Sequence, residues 1–558
     1  MEFLDARRLT GPNIFSSKAG AVLDIACTAD EAGRLLPYCE GEMRRMLEAV
    51  HWGSELIRQR RLAGGVSIAI SAPIDALYAA SALCEWAWAS CDAEFNGAIR
   101  PDFDETAAGL RQAIKDEVNP PLLELERAAA RHGISFLWDD DFVSVGHGNG
   151  SRTWPFRELP DPDAIDWAGL HDVPVGIVTG TNGKTTTARI ARHLLQSIGR
   201  TVGLSCTDWV SVNEKIIDHD DWSGPGGARM VLRQPDVDAA ILETARGGLL
   251  RRGLGVNRAD AALITNIAED HLGDFGSRSQ QELLDIKWVI IHAVRESGTL
   301  VLNADDRRLV EKSREFEGRI SWFSLADDNP VVLEHAAKGG VSFVLSDTRL
   351  VRIEGERNDV LCAVNDIPIT LDGAARHNVA NSLAAAALTE AMGLTPADIA
   401  RGLRTMSQDS NPGRSNLYPV DGFRVLVDFA HNPQAMQALF AMARALPAKR
   451  RALCFGQAGD RTDSQIRELA RSAWSIGLDL AIISELEHYR RGREPGEVYA
   501  IIRDELLECG AREEQVLYNE EEADSFDAAL EWAEPGDLVV ILDLGRTSGI
   551  HETLAARS

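Results

Sequence analysis

One stretch of the sequence has the residue types that hold a phosphate group. A short apolar run ends in a glycine-rich turn, and an apolar pattern of helical spacing follows it. Glycines let backbone N–H groups turn toward an anion, and the start of a helix adds a favourable dipole. Lys184 can then reach the terminal phosphates of a nucleotide, and the Thr185 hydroxyl can bind magnesium. The turn reads Gly180-Thr181-Asn182-Gly183-Lys184-Thr185-Thr186.

This turn departs from the general P-loop pattern, because Val178 stands where that pattern has its first glycine. A glycine-rich turn can also be purely structural. The Gly-Lys-Thr-Thr sequence between a strand and a helix favours nucleotide binding instead. We therefore predict an ATP site at this turn.

A glutamate is predicted to lie beside the phosphate loop. Glu243 comes just past the end of another apolar run, and open parallel sheets bind their ligands at the carboxyl ends of strands. A glutamate in such a place can also be a helix cap or a surface residue. Because Thr-Ala-Arg-Gly-Gly follows it and the phosphate loop precedes it, we interpret Glu243 as a magnesium ligand.

The elements that must position these residues alternate along the chain. Beyond about residue 165, short apolar runs alternate with helical patterns, which is typical of a parallel sheet covered by helices. Residues 340–370 instead indicate short strands of an antiparallel edge, and a second alternating series begins near residue 412. The predicted strands are 175–178, 239–242, 261–265 and 299–303 in the first series, and 425–427, 452–455, 480–483 and 538–542 in the second.

We predict three domains, because 558 residues exceed what one core usually organises. Residues 1–165 contain helical patterns, for example from Glu40 to Arg61, and end in a linker rich in proline and acid. The expected fold class is α/β. It comprises a separate α+β N-terminal domain (1–165), a P-loop-type central domain with a mainly parallel sheet (166–410) and a Rossmann-like C-terminal domain (411–558).

The composition argues against several classes of protein. Aspartate and glutamate outnumber lysine and arginine 85 to 58, a formal charge of -27, so we expect no nucleic-acid partner. The eight cysteines form no CxxC pair, which argues against a zinc site. The N-terminus has no pattern of a secretion signal. Pro73, Asp75 and Glu85 interrupt the longest apolar stretch, so we expect no membrane span and a cytoplasmic protein.

The phosphate loop resembles that of Mur ligases and folylpolyglutamate synthetases, and further motifs follow in the order that this family shows. The resemblance covers roughly residues 170–558. The sequence is similar to the Mur-ligase half of cyanophycin synthetases, whose Glu-Thr-Ala-Arg-Gly-Gly and Arg-Gly-Arg-x-x-Gly-Glu motifs appear at 243–248 and 491–497. The other motifs are Thr265 to Leu272, Asn303 to Asp306, His377 to Asn381, Gly413-Arg414, Asp428 to Pro433 and Gly459 to Arg461.

The resemblance implies a second set of metal ligands. His271, within Glu-Asp-His-Leu, is similar to the second metal ligand of the family. Lys287 lies sixteen residues further along, on a helix predicted to begin near Gln280. In many Mur ligases a lysine at about this place is carbamylated, and the carbamate oxygen binds a second magnesium ion. An isolated histidine is otherwise usually structural, and a helical lysine is usually solvated.

The resemblance also assigns nucleotide contacts to the C-terminal half. Arg414 is similar to the arginine that reaches the γ-phosphate, and Asp428 to the residue that accepts hydrogen bonds from ribose hydroxyls. Asn378 is expected to face adenine, and His431 to lie near the nucleotide. ATP would then bind between domains, and domain closure would assemble the site.

The implied reaction is the ATP-dependent formation of an amide bond. ATP would convert a carboxylate of an amino acid or peptide, aspartyl by analogy, into an acyl phosphate. An amine, arginine by analogy, would attack it, and ADP and phosphate would be released. Because both reactants are anionic, a lysine and two magnesium ions would screen their repulsion. The catalytic residues implied are Lys184, Glu243, His271, Lys287 and Arg414.

The amine substrate is expected to bind mainly against the C-terminal domain. Arg491 and Arg493 are candidates for this contact, although a solvated basic loop fits their pattern equally well. The partners expected are therefore small-molecule or peptide carboxylates and amines. The family often assembles into oligomers, so a homo-oligomer is a further expectation.

The N-terminal region is also similar to cyanophycin synthetases, at Arg8 to Ile14 and within 128–148. In that family an ATP-grasp domain follows and extends an aspartate backbone, and the Mur-ligase half attaches arginine. Here about two dozen residues lead from the similar segment to the phosphate loop, without room for an ATP-grasp body. We therefore expect one type of amide bond and no backbone extension.

Three other interpretations compete with this one. A γ-glutamyl ligase resembling folylpolyglutamate synthetase fits the loop, but the motifs shared with cyanophycin synthetases count against it. A catalytically silent nucleotide-binding scaffold would not be expected to retain Lys184, Glu243, His271 and Arg414. A simple ATPase or a P-loop kinase has no need of the C-terminal motifs.

Overall fold

The structure, a computed structural model, describes residues 1–269, 279–543 and 549–557, without the side chain of Glu552. Among these residues the strands form four sheets. The fold is mixed α/β and its two largest sheets are mainly parallel, which confirms the predicted fold class.

The first 155 residues build two antiparallel sheets. The strands are β1 (Glu2–Leu9), β2 (Gly20–Ala26), β3 (Ile57–Leu62), β4 (Gly65–Ser71), β5 (Phe136–Trp138), β6 (Phe142–Val145) and β7 (Arg152–Pro155). The helices are α1 (Ala29–Ala49), α2 (Leu77–Asn96), α3 (Phe103–Glu117) and α4 (Pro120–His132). The larger sheet has the order β1-β2-β4-β3, with α1 and α2 packed on it, and β5-β6-β7 form the smaller one.

The helical pattern expected from Glu40 to Arg61 is wrong in its second half. Helix α1 ends at Ala49, His51 takes a positive φ of 66°, and β3 begins at Ile57. The arginines of β3 are good helix formers, but pairing with β4 overrides that preference. The longest apolar stretch of the sequence divides into the buried strand β4 and the helix α2.

The central sheet runs from residue 175 to residue 363. Its strands are β8 (Val175–Thr179), β9 (Val202–Ser205), β10 (Val210–Val212), β11 (Lys215–Asp218), β12 (Ala239–Glu243), β13 (Ala259–Ile264), β14 (Val294–Asn303), β15 (Arg319–Ser324), β16 (Val341–Ser346), β17 (Arg349–Glu354) and β18 (Arg357–Ala363). The order is β11-β10-β9-β12-β8-β13-β14-β15-β16-β17-β18. The strands from β9 to β16 in this order are parallel, and the pairs at both edges are antiparallel, as expected for residues 340–370.

Helices cover both faces of this sheet. They are α5 (Lys184–Gln196), α6 (Pro225–Leu232), α7 (Arg246–Arg251), α8 (Gln280–Trp288), α9 (Arg307–Lys312), α10 (Pro330–Ala337), α11 (Arg376–Ala391) and α12 (Pro396–Thr405). One buried core lies under α5, α11 and α12, and another lies under α6, α7 and α8. Strand β8 lies between β12 and β13, so the turn after it occupies the middle of the sheet.

The C-terminal sheet is a second, smaller parallel sheet. Its strands are β19 (Asn416–Val420), β20 (Phe423–Asp428), β21 (Arg451–Phe455), β22 (Leu480–Ser484), β23 (Val516–Asn519) and β24 (Leu538–Leu542). Its helices are α13 (Pro433–Ala445), α14 (Asp463–Trp474), α15 (Glu497–Glu508), α16 (Glu522–Trp532) and α17 (Ile550–Arg557). Only β19 pairs antiparallel in the order β19-β20-β24-β21-β22-β23. Among the described residues, no helix is both long and apolar enough to cross a membrane.

Helix α11 packs against both the phosphate-loop helix α5 and the central strands, so its core face should be essential for stability. Leu383 on α11 is fully buried, whereas Leu333 on α10 is 52% exposed. We expect Leu383→Ala to cost about 2–5 kcal/mol through lost burial and a residual cavity. Leu333→Ala should change stability by less than about 0.5 kcal/mol. Thermal unfolding would measure both, and equal shifts in Tm would contradict this packing.

Candidate active site

A cavity of about 600 Å³ is lined by residues of both the central and the C-terminal sheets. Gly180 lies directly before the loop residues that reach this cavity, and His271 lies outside the described residues. The predicted site residues in its wall are Thr181, Asn182, Gly183, Lys184, Thr185, Thr186, Glu243, Lys287, Asn378, Arg414, Asp428 and His431.

The phosphate loop needs glycine at two of its positions. Gly180 has a φ of 143°, and a Cβ there would lie 1.8 Å from the Oγ1 of Thr265. Gly183 is the N-cap of α5 with a φ of 83°, and a Cβ there would lie 2.3 Å from the Oδ1 of Asn381. Both positions therefore combine a left-handed backbone with close neighbours, which only glycine tolerates.

The end of β13 braces the loop from the side. The backbone N–H groups of Thr181 and Asn182 donate to the carbonyl and side-chain oxygens of Asn266, at 2.9 and 3.0 Å. The Thr265 hydroxyl donates to the Asn182 carbonyl at 2.6 Å. The Lys184 ammonium donates to the Thr181 carbonyl at 3.0 Å while lining the cavity. These bonds fix the shape of the loop.

Glu243 ends β12 and is 1% exposed. Its two carboxylate oxygens accept hydrogen bonds from Thr207, one from the backbone N–H at 3.2 Å and one from the hydroxyl at 2.8 Å. A buried carboxylate requires such partners. Thr207 thus fixes the orientation of this carboxylate in the cavity wall.

Lys287 lies on α8, which begins at Gln280 as predicted. The lysine is 4% exposed, and its ammonium nitrogen donates to the Gly180 carbonyl at 2.7 Å. A solvated surface lysine is therefore excluded, and the side chain reaches the base of the phosphate loop.

A buried ionic network joins the two halves of the cavity. Arg189 on α5 is fully buried and pairs with Asp208 at 2.5 Å, and Arg414 lies 3.3 Å from the same carboxylate. Burial lowers the pKa of Arg189, and the charge of Asp208 opposes that shift. Arg189 also donates to the carbonyl of Pro412 at 2.9 Å, in the connection between the sheets. The guanidinium of Arg414 lies 4.7 Å from the ring centroid of Phe429.

Asp428 ends β20 and is held by Ser415. Its Oδ2 accepts hydrogen bonds from the Ser415 backbone N–H at 2.7 Å and from the hydroxyl at 2.8 Å. His377 Nε2 lies 2.9 Å from the same hydroxyl. Burial lowers the pKa of His377, against an opposing effect of Asp428. His431 uses Nδ1 to donate to the Phe429 carbonyl at 3.0 Å.

Asn378 is buried on α11 and already makes two hydrogen bonds within the protein. Its amide nitrogen donates to the Ile369 carbonyl at 2.9 Å, and its oxygen accepts from Asn381 at 3.2 Å. The side chain lines the cavity in a fixed orientation. A nucleotide base placed beside Asn378 would meet a rigid polar surface.

Direct contacts close the cavity between the two sheets. The Asn432 amide donates to the Asn182 side-chain oxygen at 2.7 Å, and the Asn182 amide donates to Gln434 at 2.7 Å. Asn182 belongs to the phosphate loop, and the other two residues begin α13. The two halves therefore meet at the loop itself.

The two candidate arginines for the amine substrate have different environments. Arg491 lines the cavity, has a positive φ of 47° and pairs with Asp460. Arg493 instead bonds to the Gly459 carbonyl at 2.9 Å and to Asp463 at 2.7 Å, and it is absent from the described cavity wall. Arg493 thus ties two loops together, and only Arg491 of the pair can contact a ligand in the cavity.

The sequence interpretation missed Thr207, Asp208, Arg189 and Ser415. Thr207 and Asp208 follow β9, so the strand-end rule that indicated Glu243 could also have indicated them. Arg189 and Ser415 gave no such signal. An arginine on a helix is usually exposed, and the φ of 57° at Ser415 is known only from the structure.

These groups suit one kind of ligand. The phosphate loop, Lys184 and Arg414 present N–H donors and positive charge, which bind phosphate oxygens. Glu243 and the Thr185 hydroxyl present oxygen donors, which suit a hard divalent cation. The cavity can therefore hold a polyphosphate together with a metal ion.

Comparisons with known proteins agree with this geometry. The Mur ligase middle domain matches residues 178–389, and the Mur ligase, glutamate ligase domain matches residues 413–542. The cyanophycin synthetase of Trichormus variabilis is 35% identical over 374 residues, which cover 66% of this chain. The chain spans only 41% of that protein. The UDP-N-acetylmuramyl-tripeptide synthetase of Deinococcus radiodurans is 28% identical over 398 residues, 66% of this chain and 72% of that protein.

A solved structure shares the fold at lower identity. FolC of E. coli, in complex with DHPP and ADP, superposes with a TM-score of 0.50 and 20% identity over 69% of this chain and 89% of its own. The two matched domains together span both sheets that line the cavity. The chain belongs to the Mur ligase family, of which it carries the middle and the glutamate ligase domains.

Proposed function

We propose that this protein is an ATP-dependent ligase that joins a carboxylate to an amine through an acyl phosphate and releases ADP and phosphate. The observation that carries the proposal is the shared cavity of the phosphate loop, Glu243, Lys287, Arg414 and Asp428. An ATPase or a kinase has no need of residues from a second sheet around its phosphate loop. The similarity to two kinds of amide-forming synthetase supports the same reaction.

ATP binds between the two sheets in this proposal. The phosphate loop and Lys184 hold the β- and γ-phosphates, and Arg414 reaches the γ-phosphate from the other side. Asp428 accepts hydrogen bonds from the ribose hydroxyls, with Asn378 and His431 beside the base and sugar. The nucleotide therefore bridges the two halves of the cavity.

Magnesium fits the donors at this site. Thr185 and Glu243 offer a hydroxyl and a carboxylate oxygen in one cavity wall, and magnesium in nucleotide sites uses one or two protein ligands with the phosphates. The ion supplies charge neutralisation of the phosphates when bound. A second ion would use His271 and a carbamylated Lys287.

The reaction has two steps. A carboxylate oxygen attacks the γ-phosphorus, the bond to the β–γ bridging oxygen breaks, and ADP leaves. The amine nitrogen then attacks the carbonyl carbon, loses a proton, and phosphate leaves as the amide forms. Lys184 and Arg414 offset the negative charge that develops in the first step, and Asp208 holds Arg414 in position for this task.

The substrates proposed are an aspartyl or other amino-acid carboxylate and an amine such as arginine, after the relatives named cyanophycin synthetase. Arg491, in the cavity wall, contacts the amine substrate. A γ-glutamyl ligase is the competing enzyme, since the E. coli FolC fold is shared. The shared fold does not distinguish the proposed ligase from a γ-glutamyl ligase. The identity of the substrates distinguishes them.

We further propose a division into domains at about residues 165 and 410. The two antiparallel sheets lie within 2–155, the central sheet within 175–363 and the C-terminal sheet within 416–542. Asn411 and Pro412, which Arg189 contacts, would form the hinge between the two ligase domains.

The function is tested by screening the purified protein for ADP release with pairs of amino acids and aspartyl peptides, followed by product masses. We expect ADP release only when a carboxylate and an amine are both present. Lys184→Ala should lower kcat on the order of 10²–10³-fold, because the γ-phosphate loses its cation. Lys338→Ala, at an exposed lysine of the central domain, serves as the matched control.

Three results would contradict the proposal. ADP release without an amine would indicate an ATPase or a kinase. A product formed only from glutamate and a folate-like acceptor would favour the γ-glutamyl ligase. Full activity of Lys184→Ala with unchanged thermal unfolding would remove the proposed mechanism.

The contact between Thr207 and Glu243 should set the magnesium requirement. Thr207→Val keeps the side-chain volume but removes the hydroxyl that orients the carboxylate. We expect the magnesium concentration at half-maximal activity to rise about tenfold, as for other partners of metal ligands. The exposed Thr348 offers a control, Thr348→Val, that should leave the magnesium titration unchanged. If the magnesium titration of Thr207→Val matched that of the wild type, the result would contradict the role of Glu243 as a metal ligand.

Carbamylation of Lys287 can be tested directly. With ¹³C-bicarbonate, the protein should show a carbamate carbon resonance that is missing in Lys287→Arg, because arginine forms no such adduct. Lys338→Arg should retain the signal. A spectrum of the active wild-type protein without a carbamate resonance would exclude the modification, whatever the activity of the variants.

A further inference from the structure

Ser415 is held in a backbone conformation that serine rarely adopts. It has a φ of 57° and is 4% exposed. A left-handed backbone is strained for any residue with a Cβ, and such strain persists where the surroundings impose it. Here two hydrogen bonds to one neighbour impose it, because the backbone N–H and the hydroxyl of Ser415 both donate to Asp428 Oδ2, at 2.7 and 2.8 Å.

The direction of the next hydrogen bond follows from proton counting. The Ser415 hydroxyl has one proton, and the Asp428 carboxylate receives it. His377 Nε2, 2.9 Å from the same oxygen, must therefore be the donor. His377 then carries its proton on Nε2, and a chain of hydrogen bonds runs from His377 through Ser415 to Asp428.

This series of hydrogen bonds leaves one oxygen of Asp428 for a ligand. In the described part of the structure, the side-chain hydrogen bonds of Asp428 go to Oδ2, and the carboxylate lines the cavity. Two donors on one oxygen fix the plane of the carboxylate. The remaining oxygen, Oδ1, is then directed by a rigid group instead of a freely rotating one.

The series of hydrogen bonds from His377 to Asp428 also spans the two halves of the site. His377 lies on α11, which packs against the phosphate-loop helix α5, and Asp428 ends a strand of the C-terminal sheet. The group that meets the sugar is thus connected to the element beside the phosphates. A shift of one half relative to the other would break this connection.

We propose that Ser415 and His377 are positioning residues that align the Asp428 carboxylate with the ribose hydroxyls of the nucleotide. The proposal rests on the proposed function, in which Asp428 contacts the ribose. Neither residue touches the reacting atoms. Their effect should therefore appear only with nucleotides that carry the hydroxyls.

The test measures binding of ATP and of 2′,3′-dideoxyATP by calorimetry, with magnesium and without the other substrates. Ser415→Gly removes the hydroxyl but keeps the N–H and tolerates the positive φ. We expect it to weaken ATP binding about tenfold, the size of one hydrogen bond to a charged group. Binding of 2′,3′-dideoxyATP should stay within about twofold of wild type, since that nucleotide lacks the hydroxyls that would donate to Asp428.

His377 provides an independent variant pair. His377→Leu removes the donor and should weaken ATP binding selectively, whereas His377→Gln retains an N–H donor and should restore much of it. Ser382→Ala is the matched control, because that hydroxyl on the same helix donates to the Asn378 carbonyl and contacts none of His377, Ser415 and Asp428 through a described hydrogen bond. It should bind both nucleotides as wild type does.

The outcomes separate this proposal from the function it rests on. An equal loss for ATP and 2′,3′-dideoxyATP in Ser415→Gly, or no loss for either, would overturn the positioning role. Wild-type protein that binds both nucleotides equally would overturn it as well, while leaving a ligase intact. Failure of the wild type to bind ATP at all would instead remove the proposed nucleotide site.

Discussion

The turn after β8 passes so close to the end of β13 that a single methyl group at Gly180 would collide with Thr265. This close approach lets the loop donate to and accept from Asn266 and Thr265, which fixes its shape. The carbonyl of Gly180 also accepts a hydrogen bond from the Lys287 ammonium. The phosphate loop and the helix that carries Lys287 are therefore positioned by one packing constraint in the middle of a parallel sheet.

The buried charges extend this constraint to the C-terminal half. A guanidinium as buried as that of Arg189 is stable only with partners, because removing it from water is costly. Asp208 and the carbonyl of Pro412 supply them, and the same carboxylate holds Arg414. The connection between the central and C-terminal sheets and the position of Arg414 thus depend on a single ionic network. Replacing one member would leave another buried charge uncompensated.

The remaining contacts divide the cavity into two functional ends. At one end Thr207 orients Glu243, and at the other Ser415 orients Asp428. In both places a hydroxyl donates to a carboxylate in the cavity wall. The cavity is thus built from oriented anions as well as cations, which suits the metal–nucleotide complex of the proposed function.

The periodicity of apolar residues predicted eight of the parallel strands in the two large sheets, because buried strands are short, apolar and separated by helical patterns. It did not predict the parallel strands β9, β15 and β23. It failed in the second half of the pattern from Glu40 to Arg61, where helix-forming arginines enter an antiparallel pair. The motif residues of the phosphate loop and of the C-terminal half were also visible in the chain. Their order along the sequence indicated a shared site.

The sequence by itself determined the residue types of the site, since glycine, lysine and the acidic groups can be recognised without coordinates. Only the tertiary structure decided which of them meet. It separated Arg491, in the cavity wall, from Arg493, which ties two loops together. It also revealed Arg189, Asp208 and Ser415. The reason is physical: burial, hydrogen-bond direction and a strained φ arise from contacts between segments far apart in the chain, and local patterns carry no record of them.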